Sequence, residues 1–240
     1  MATRLLVIGA HAADFVWRSG GAIALTTSQG GQCLAIALSY GARGESGELW
    51  SIEGQNLEQV IKTRDDEVRA AAEILGTRFE CLELDDYPLA VDTGTQENLA
   101  EIVRGFEPST VITHCQDDPF NPDHPAAHAA AIKAEQLATG AGRAAAFKTI
   151  PQPQVLMFEP HYPDSSGFVP DVYLDITRVQ EKKAKAMAAI ASQLYMPEYQ
   201  DMRARQRAWQ ARRLSGRSDI QHAEVYQRFT PQVVESLDSL

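Results

Sequence analysis

Short apolar runs alternate with helical patterns along the first half of the chain, and two of those runs open into loops rich in histidine and aspartate. This alternation predicts an α/β fold, a doubly wound, mainly parallel sheet flanked by helices, with ligand-binding loops at one sheet edge. Size and composition agree, since 240 residues that are 44% hydrophobic and 22% charged can bury a full core without disulfides. No repeat, low-complexity tract or long linker interrupts the chain, so residues 1–240 are expected to form a single domain.

Residues 4–10 (RLLVIGA) read as the first strand, and residues 15–29 as a helix stopped by Gly30 and Gly31. Residues 33–40 (CLAIALSY) form the second strand. The stretch that follows, GARGESGELWSIEGQN, has no periodicity and sits where a parallel strand ends, so it reads as a loop. From Leu57 to Leu75 the apolar positions suit a 3.6-residue period, and Gly76 closes that helix. Residues 79–84 (FECLEL) and 109–114 (STVITH) supply the third and fourth strands, with a short helix at 95–106 between them. The fourth strand runs into CQDDPFNPDHPAAH, polar and punctuated by proline, before a helix at 126–137. Two later strands are expected at 153–159 and 171–177, and a helix at 179–194.

A net charge of −10 disfavours a nucleic-acid surface, which needs clustered lysine and arginine. The exception is RARQRAWQARRLSGR, with six arginines and no acid between Arg203 and Arg217. It reads as a helix whose arginines face solvent, pair with acids or meet another subunit, with capture of an anionic substrate from a neighbouring subunit as the alternative. No stretch approaches the ~20 apolar residues of a membrane span. Cys33, Cys81 and Cys115 are odd in number and form no CxxC pair, which points to a reducing compartment. The apolar run near the start is shorter than a secretion signal's ~7–15 residues, so a cytoplasmic location is expected.

The two histidine-containing loops are residues 10–14 (AHAAD) and 117–128 (DDPFNPDHPAAH). In a parallel sheet both leave the same edge, so His11, Asp14 and a histidine of the second loop can converge on one cation. Three N/O ligands with a position left open is the make-up of a catalytic zinc site.

The order AHxxD, a GE-containing loop, RxxExxxAAxxLG, NPDHxAAH, PDVxxDIT and EKKxxAxxxxxSQ resembles the LmbE/PIG-L family of zinc-dependent enzymes, mostly N-acetyl-sugar deacetylases. Apart from the GE-containing loop, these elements are residues 11–14, 64–76, 121–128, 170–177 and 181–193, and the resemblance spans roughly residues 4–193. It implies zinc, or another divalent ion, on His11, Asp14 and His124. In the family's usual AHPDDE the first aspartate is the general base, and that position is Ala13. The assisting histidine of the usual HPDH is Asn121. Both proton-handling groups of a deacetylase are therefore replaced. With AHAAD and YGARGESGELW, the chain resembles hydratases of aromatic-acid (gallate) catabolism within the family, which implies addition of water to a conjugated C=C bond of a small anionic polycarboxylate. The alternatives are an N-acetyl-sugar deacetylase and a catalytically silent metal-binding protein.

Under the hydratase reading Glu48 is the favoured base and Glu45 the second choice, with His128 and Asn121 beside the metal as neutral donors or a proton relay. Arg43, Arg64 and His161 are expected to bind substrate, because guanidinium groups pair bidentately with carboxylates. His114 is a candidate for orienting a ligand, Asp123 for capping a helix, Trp50 for a lid, and His222 for the surface. The family and the arginine-rich segment together imply a homo-oligomer.

Overall fold

The computed structural model describes residues 2–142, 146–234 and 236. The strands are β1 (Arg4–His11), β2 (Gln32–Ser39), β3 (Arg78–Leu84), β4 (Thr110–Thr113), β5 (Gln154–Phe158), β6 (Val172–Asp175) and β7 (Ala223–Arg228), joined in one sheet in the order β3-β2-β1-β4-β5-β7-β6. The neighbours from β3 to β5 are parallel, while β7 runs antiparallel to both β5 and β6. The sheet is thus mixed through one strand, AEVYQR, which the sequence reading left unassigned. Its short alternation of apolar and polar residues gains strand character only by filling the gap between β5 and β6.

The helices are α1 (Asp14–Ser28), α2 (Gly47–Trp50), α3 (Leu57–Leu75), α4 (Thr93–Phe106), α5 (Asp123–Thr139), α6 (Gln180–Ala188) and α7 (Met196–Ser215). Alternation along β1 divides the core: Leu5 and Val7 face α1, α3 and α6, and Leu6, Ile8 and Ala10 face α4 and α5. α7 packs Ala208 and Ala211 against Ala223 and Ile220. α3 has the expected bounds because both ends carry strong signals: an Asn56/Gln59 capping box at its start and Gly76, at φ 75°, at its end.

Most boundaries shift by a residue or two, and three larger departures from expectation have identifiable causes. α5 begins at Asp123, since Pro125 falls in the first turn, where its missing N–H is no loss. The second loop contains the single-turn α2. α6 stops at Ala188, six residues short, because Glu67 takes Ser192 through its backbone N (2.8 Å) and Oγ, and Arg64 takes the Gln193 side chain. Among the described residues no helix is long and apolar enough to cross a membrane.

Candidate active site

The strand order reverses direction at β1: β2 lies on one side of it and β4 on the other. Ligands bind at such switch points, beyond the carboxyl ends of the strands. His11 ends β1, the loop holding Glu45 follows β2, and the loop holding Asp118 and Asn121 follows β4, so all three deliver side chains to one crevice. Gly41, at φ 67°, lets the loop after β2 turn directly over His11; a Cβ on it would sit 3.0 Å from His11 Cβ.

His11, Asp14 and His124 are buried, and one ligand atom of each lies within 4.8 Å of the others. His11 Nε2 stands 3.1 Å from Asp123 Oδ2, and His124 Nδ1 2.8 Å from Asp118 Oδ2. The network therefore assigns the proton to those two nitrogens. The opposite nitrogens, His11 Nδ1 and His124 Nε2, are buried with no hydrogen-bond partner among the described residues. Two orphaned imidazole nitrogens beside a carboxylate, each ring oriented by a second carboxylate, fit a divalent metal. The local field fits as well. Burial works against a charge on His11, but the carboxylates of Glu45, Asp123 and Asp14 outweigh it and raise the imidazole to about 9. Asp14 accepts from the His11 backbone N (2.8 Å) and has His114 Nε2 at 3.1 Å. His114 in turn stacks on His124 at 4.0 Å, so it braces two of the three candidate ligands.

Beside this cluster lies a cavity of about 390 Å³ lined by Arg18, Glu45, Glu48, Asn121, His161 and Gln193 among others. Glu45 is central to it. Its Oε1 accepts from Asn121 Nδ2 (3.0 Å) and stands 3.4 Å from His11 Nδ1, while Oε2 accepts from Gln193 Nε2 (3.1 Å). Burial works to raise the Glu45 pKa, but His11, His124 and Arg64 hold it below the usual carboxylate range, so it is ionised at neutral pH. Glu48, the favoured base from sequence, is exposed on α2 at the rim of the cavity.

His161 faces the same cavity, stacked on Tyr199 at 4.7 Å with its Nδ1 3.5 Å from Arg18 Nη2. Burial, and then the Arg18 charge, push it down to about 4, so it is neutral at pH 7.

Three expected site residues stand elsewhere. Arg43 turns away, its Nε donating to Asp85 Oδ1 (2.6 Å) on the exposed side of the loop, because Asp86 captures the Arg43 and Gly44 backbone N–H groups and fixes that direction. Arg64 is fully buried behind the cavity wall, donating to Tyr40 O, Ser192 Oγ and Gln193 Oε1. It therefore reaches the site through Gln193 and through its charge on Glu45. His128, one turn along α5 from His124, has Nδ1 2.9 Å from the His114 carbonyl and packs against Phe229, outside the cavity lining. Trp50 donates from Nε1 to Ala42 O (2.7 Å), which pins the loop down. Asp123 caps no helix: it accepts from Tyr87 N and Leu89 N and orients His11. His222, expected at the surface, is half-buried with Nε2 3.3 Å from Asp201.

Sequence reasoning passed over Arg18 and Gln193 and left the role of Asp118 open. For Arg18 a signal existed, since it stands four residues after Asp14 and so on the same face of α1.

Residues 6–135 match the family described as PIG-L: GlcNAc-PI de-N-acetylase. A 4-oxalmesaconate hydratase of Pseudomonas putida is 42% identical over 236 residues, covering 97% of this chain and 91% of that protein. The crystal structure of GalB, the 4-carboxy-2-hydroxymuconate hydratase from Pseudomonas putida KT2440, matches with a TM-score of 0.95 at 40% identity, covering 98% of this chain and 99% of that one. An N,N'-diacetylchitobiose deacetylase from Pyrococcus horikoshii shares the fold at a TM-score of 0.78 and 18% identity, covering 98% of this chain and 88% of that one.

Proposed function

The chain belongs to the PIG-L family, and we propose that it is the hydratase that adds water to 4-oxalomesaconate, giving 4-carboxy-4-hydroxy-2-oxoadipate in gallate degradation in the cytoplasm. The observation that carries this reading is the 42% identity to a named hydratase across nearly the whole length of both proteins. The site supports it chemically. Ala13 has only a methyl group where a deacetylase of this family keeps its base, and Asn121 stands where the assisting histidine would be. An ionised carboxylate is nevertheless present, supplied by Glu45 from a different loop.

Zinc is the proposed metal; His11, Asp14 and His124 would hold it, and it would supply Lewis-acid polarisation of the substrate's conjugated oxygens. Glu45 is the proposed base. It takes a proton from the attacking water as the water oxygen bonds to the β-carbon of the conjugated system. The negative charge that builds up spreads into the conjugated carbonyl and is discharged when the proton held by Glu45 is passed on to the α-carbon, so that one water is added overall and the carboxylate is regenerated. Asn121 and Gln193 hold the two Glu45 oxygens in place, so the carboxylate is aimed before substrate arrives. His161, neutral and braced by Tyr199, offers a hydrogen bond to the substrate. A homo-oligomer belongs to the same proposal: Phe120, Tyr162, Leu194 and Tyr195 are all more than half exposed near the cavity mouth, an apolar surface suited to another subunit.

The test is an ultraviolet assay of the metal-replete protein with 4-oxalomesaconate. Loss of conjugated absorbance with a product heavier by one water is expected, and unchanged absorbance would remove the reading.

A further inference from the structure

α1 carries a buried arginine that the steps above leave unused. Arg18 is 8% exposed and is the one arginine among the described residues lining the cavity, since Arg43 faces Asp85 and Arg64 lies behind Gln193. Its guanidinium is held at three points: Nε donates to Asp14 Oδ1 (3.4 Å), Nη1 donates to Glu159 O (2.7 Å), and Nη2 stands 3.5 Å from His161 Nδ1. The Phe158 ring lies 5.5 Å from Cζ. A guanidinium has five N–H groups, so one on Nη1 and one on Nη2 remain without an acceptor among the described residues.

The mounting of this side chain is rigid. Arg203 and Arg207 of α7 both bind the Glu159 carboxylate, and Tyr199 of the same helix stacks on His161 and donates to its carbonyl (2.9 Å). The arginine-rich segment thus holds the strand end against which Arg18 is braced. A charge buried this deeply is costly unless it is matched. The nearby carboxylate, Asp14, meets Arg18 only through Oδ1 at 3.4 Å, while its Oδ2 is engaged by His11 N and His114 Nε2. A neutral acyl sugar would leave the guanidinium with that single long contact to Asp14 as its only ion pair among the described residues, whereas a carboxylate entering the cavity would add a second.

We propose that Arg18 binds a carboxylate of the substrate through its two remaining N–H groups and so selects polycarboxylates over neutral ligands. The inference rests on the hydratase reading for the identity of that anion. The test uses metal-loaded, full-length protein titrated calorimetrically with propane-1,2,3-tricarboxylate, a saturated probe that cannot be hydrated. The wild type should bind it, Arg18→Gln should bind about a hundredfold more weakly, and Arg18→Lys about tenfold more weakly, because lysine keeps the charge but not the fork. Metal content is measured on every variant. No binding by the wild type, or equal affinity in metal-replete Arg18→Gln, would overturn the proposal. Should Arg18→Gln fail to fold, equal affinity in Arg18→Lys would overturn it, and the tenfold loss would support it. The two readings separate cleanly: Arg18-dependent binding without hydration sinks the hydratase reading alone, and hydration with an unchanged KM in Arg18→Gln sinks this one alone.

Discussion

Replacing Glu45 by glutamine removes the proposed base while keeping its shape. A positioned general base is worth about 10²–10⁴ in rate, so kcat should fall about a thousandfold, or about 4 kcal/mol of barrier. The same change has a structural cost that can be read from the contacts. Both carboxylate oxygens accept N–H groups, from Asn121 at 3.0 Å and Gln193 at 3.1 Å. A glutamine has one acceptor, so its NH₂ meets one donor face to face, costing about 1–2 kcal/mol of stability. Melting should therefore drop by about 2–4 °C per kcal/mol for a chain of this size. Metal content should stay at the wild-type level, because His11, Asp14 and His124 are untouched. The assay is steady-state loss of conjugated absorbance alongside metal analysis, with Glu48→Gln as the control. Glu48 is exposed at the rim, and its variant should keep near-normal kcat. Full activity in Glu45→Gln, or collapse in Glu48→Gln with Glu45 intact, would refute the assignment.

Asp118→Ala should lower metal affinity about 10–100-fold, read by chelator competition, since Asp118 orients His124 through its Nδ1 at 2.8 Å. Arg43→Ala should leave kcat and KM near wild type, because its guanidinium pairs with Asp85 outside the cavity. His161 carries a pH signature. Its folded pKa, about 4, lies below the unfolded value of about 6.5, so the unfolded chain binds more protons between the two. The stability this contributes is fully present above about pH 6.5 and is lost as pH falls towards 4. Melting curves of His161→Gln across that window should be flatter than those of the wild type; parallel curves would contradict the shift.

The elements that sequence located well carry local signals. α3 is bounded by its own capping box and glycine, and β1 is an uninterrupted apolar run. β7 needed its neighbours to become a strand, and α6 ended early because Glu67 and Arg64, more than a hundred residues away in the chain, claimed Ser192 and Gln193. At the site, the convergence of His11, Asp14 and a histidine of the second loop was legible because loops after parallel strands share an edge, and the family resemblance singled out His124. Side-chain direction within a loop was not. Spacing could not tell that Asp86 would turn Arg43 outward or that Glu45 would face His11 while Glu48 faced solvent. His128 was expected beside the metal, but α5 carries its ring, one turn on from His124, to the His114 carbonyl rather than into the cavity.

The most direct measurement offers the metal-replete protein two substrates in parallel: 4-oxalomesaconate, followed by ultraviolet loss and product mass, and an N-acetylated amino sugar, followed by acetate release. Rapid hydration of the first with no acetate from the second is the expected result. Acetate release without hydration would contradict it, and would mean that Ala13 and Asn121 do not exclude the deacetylase reaction.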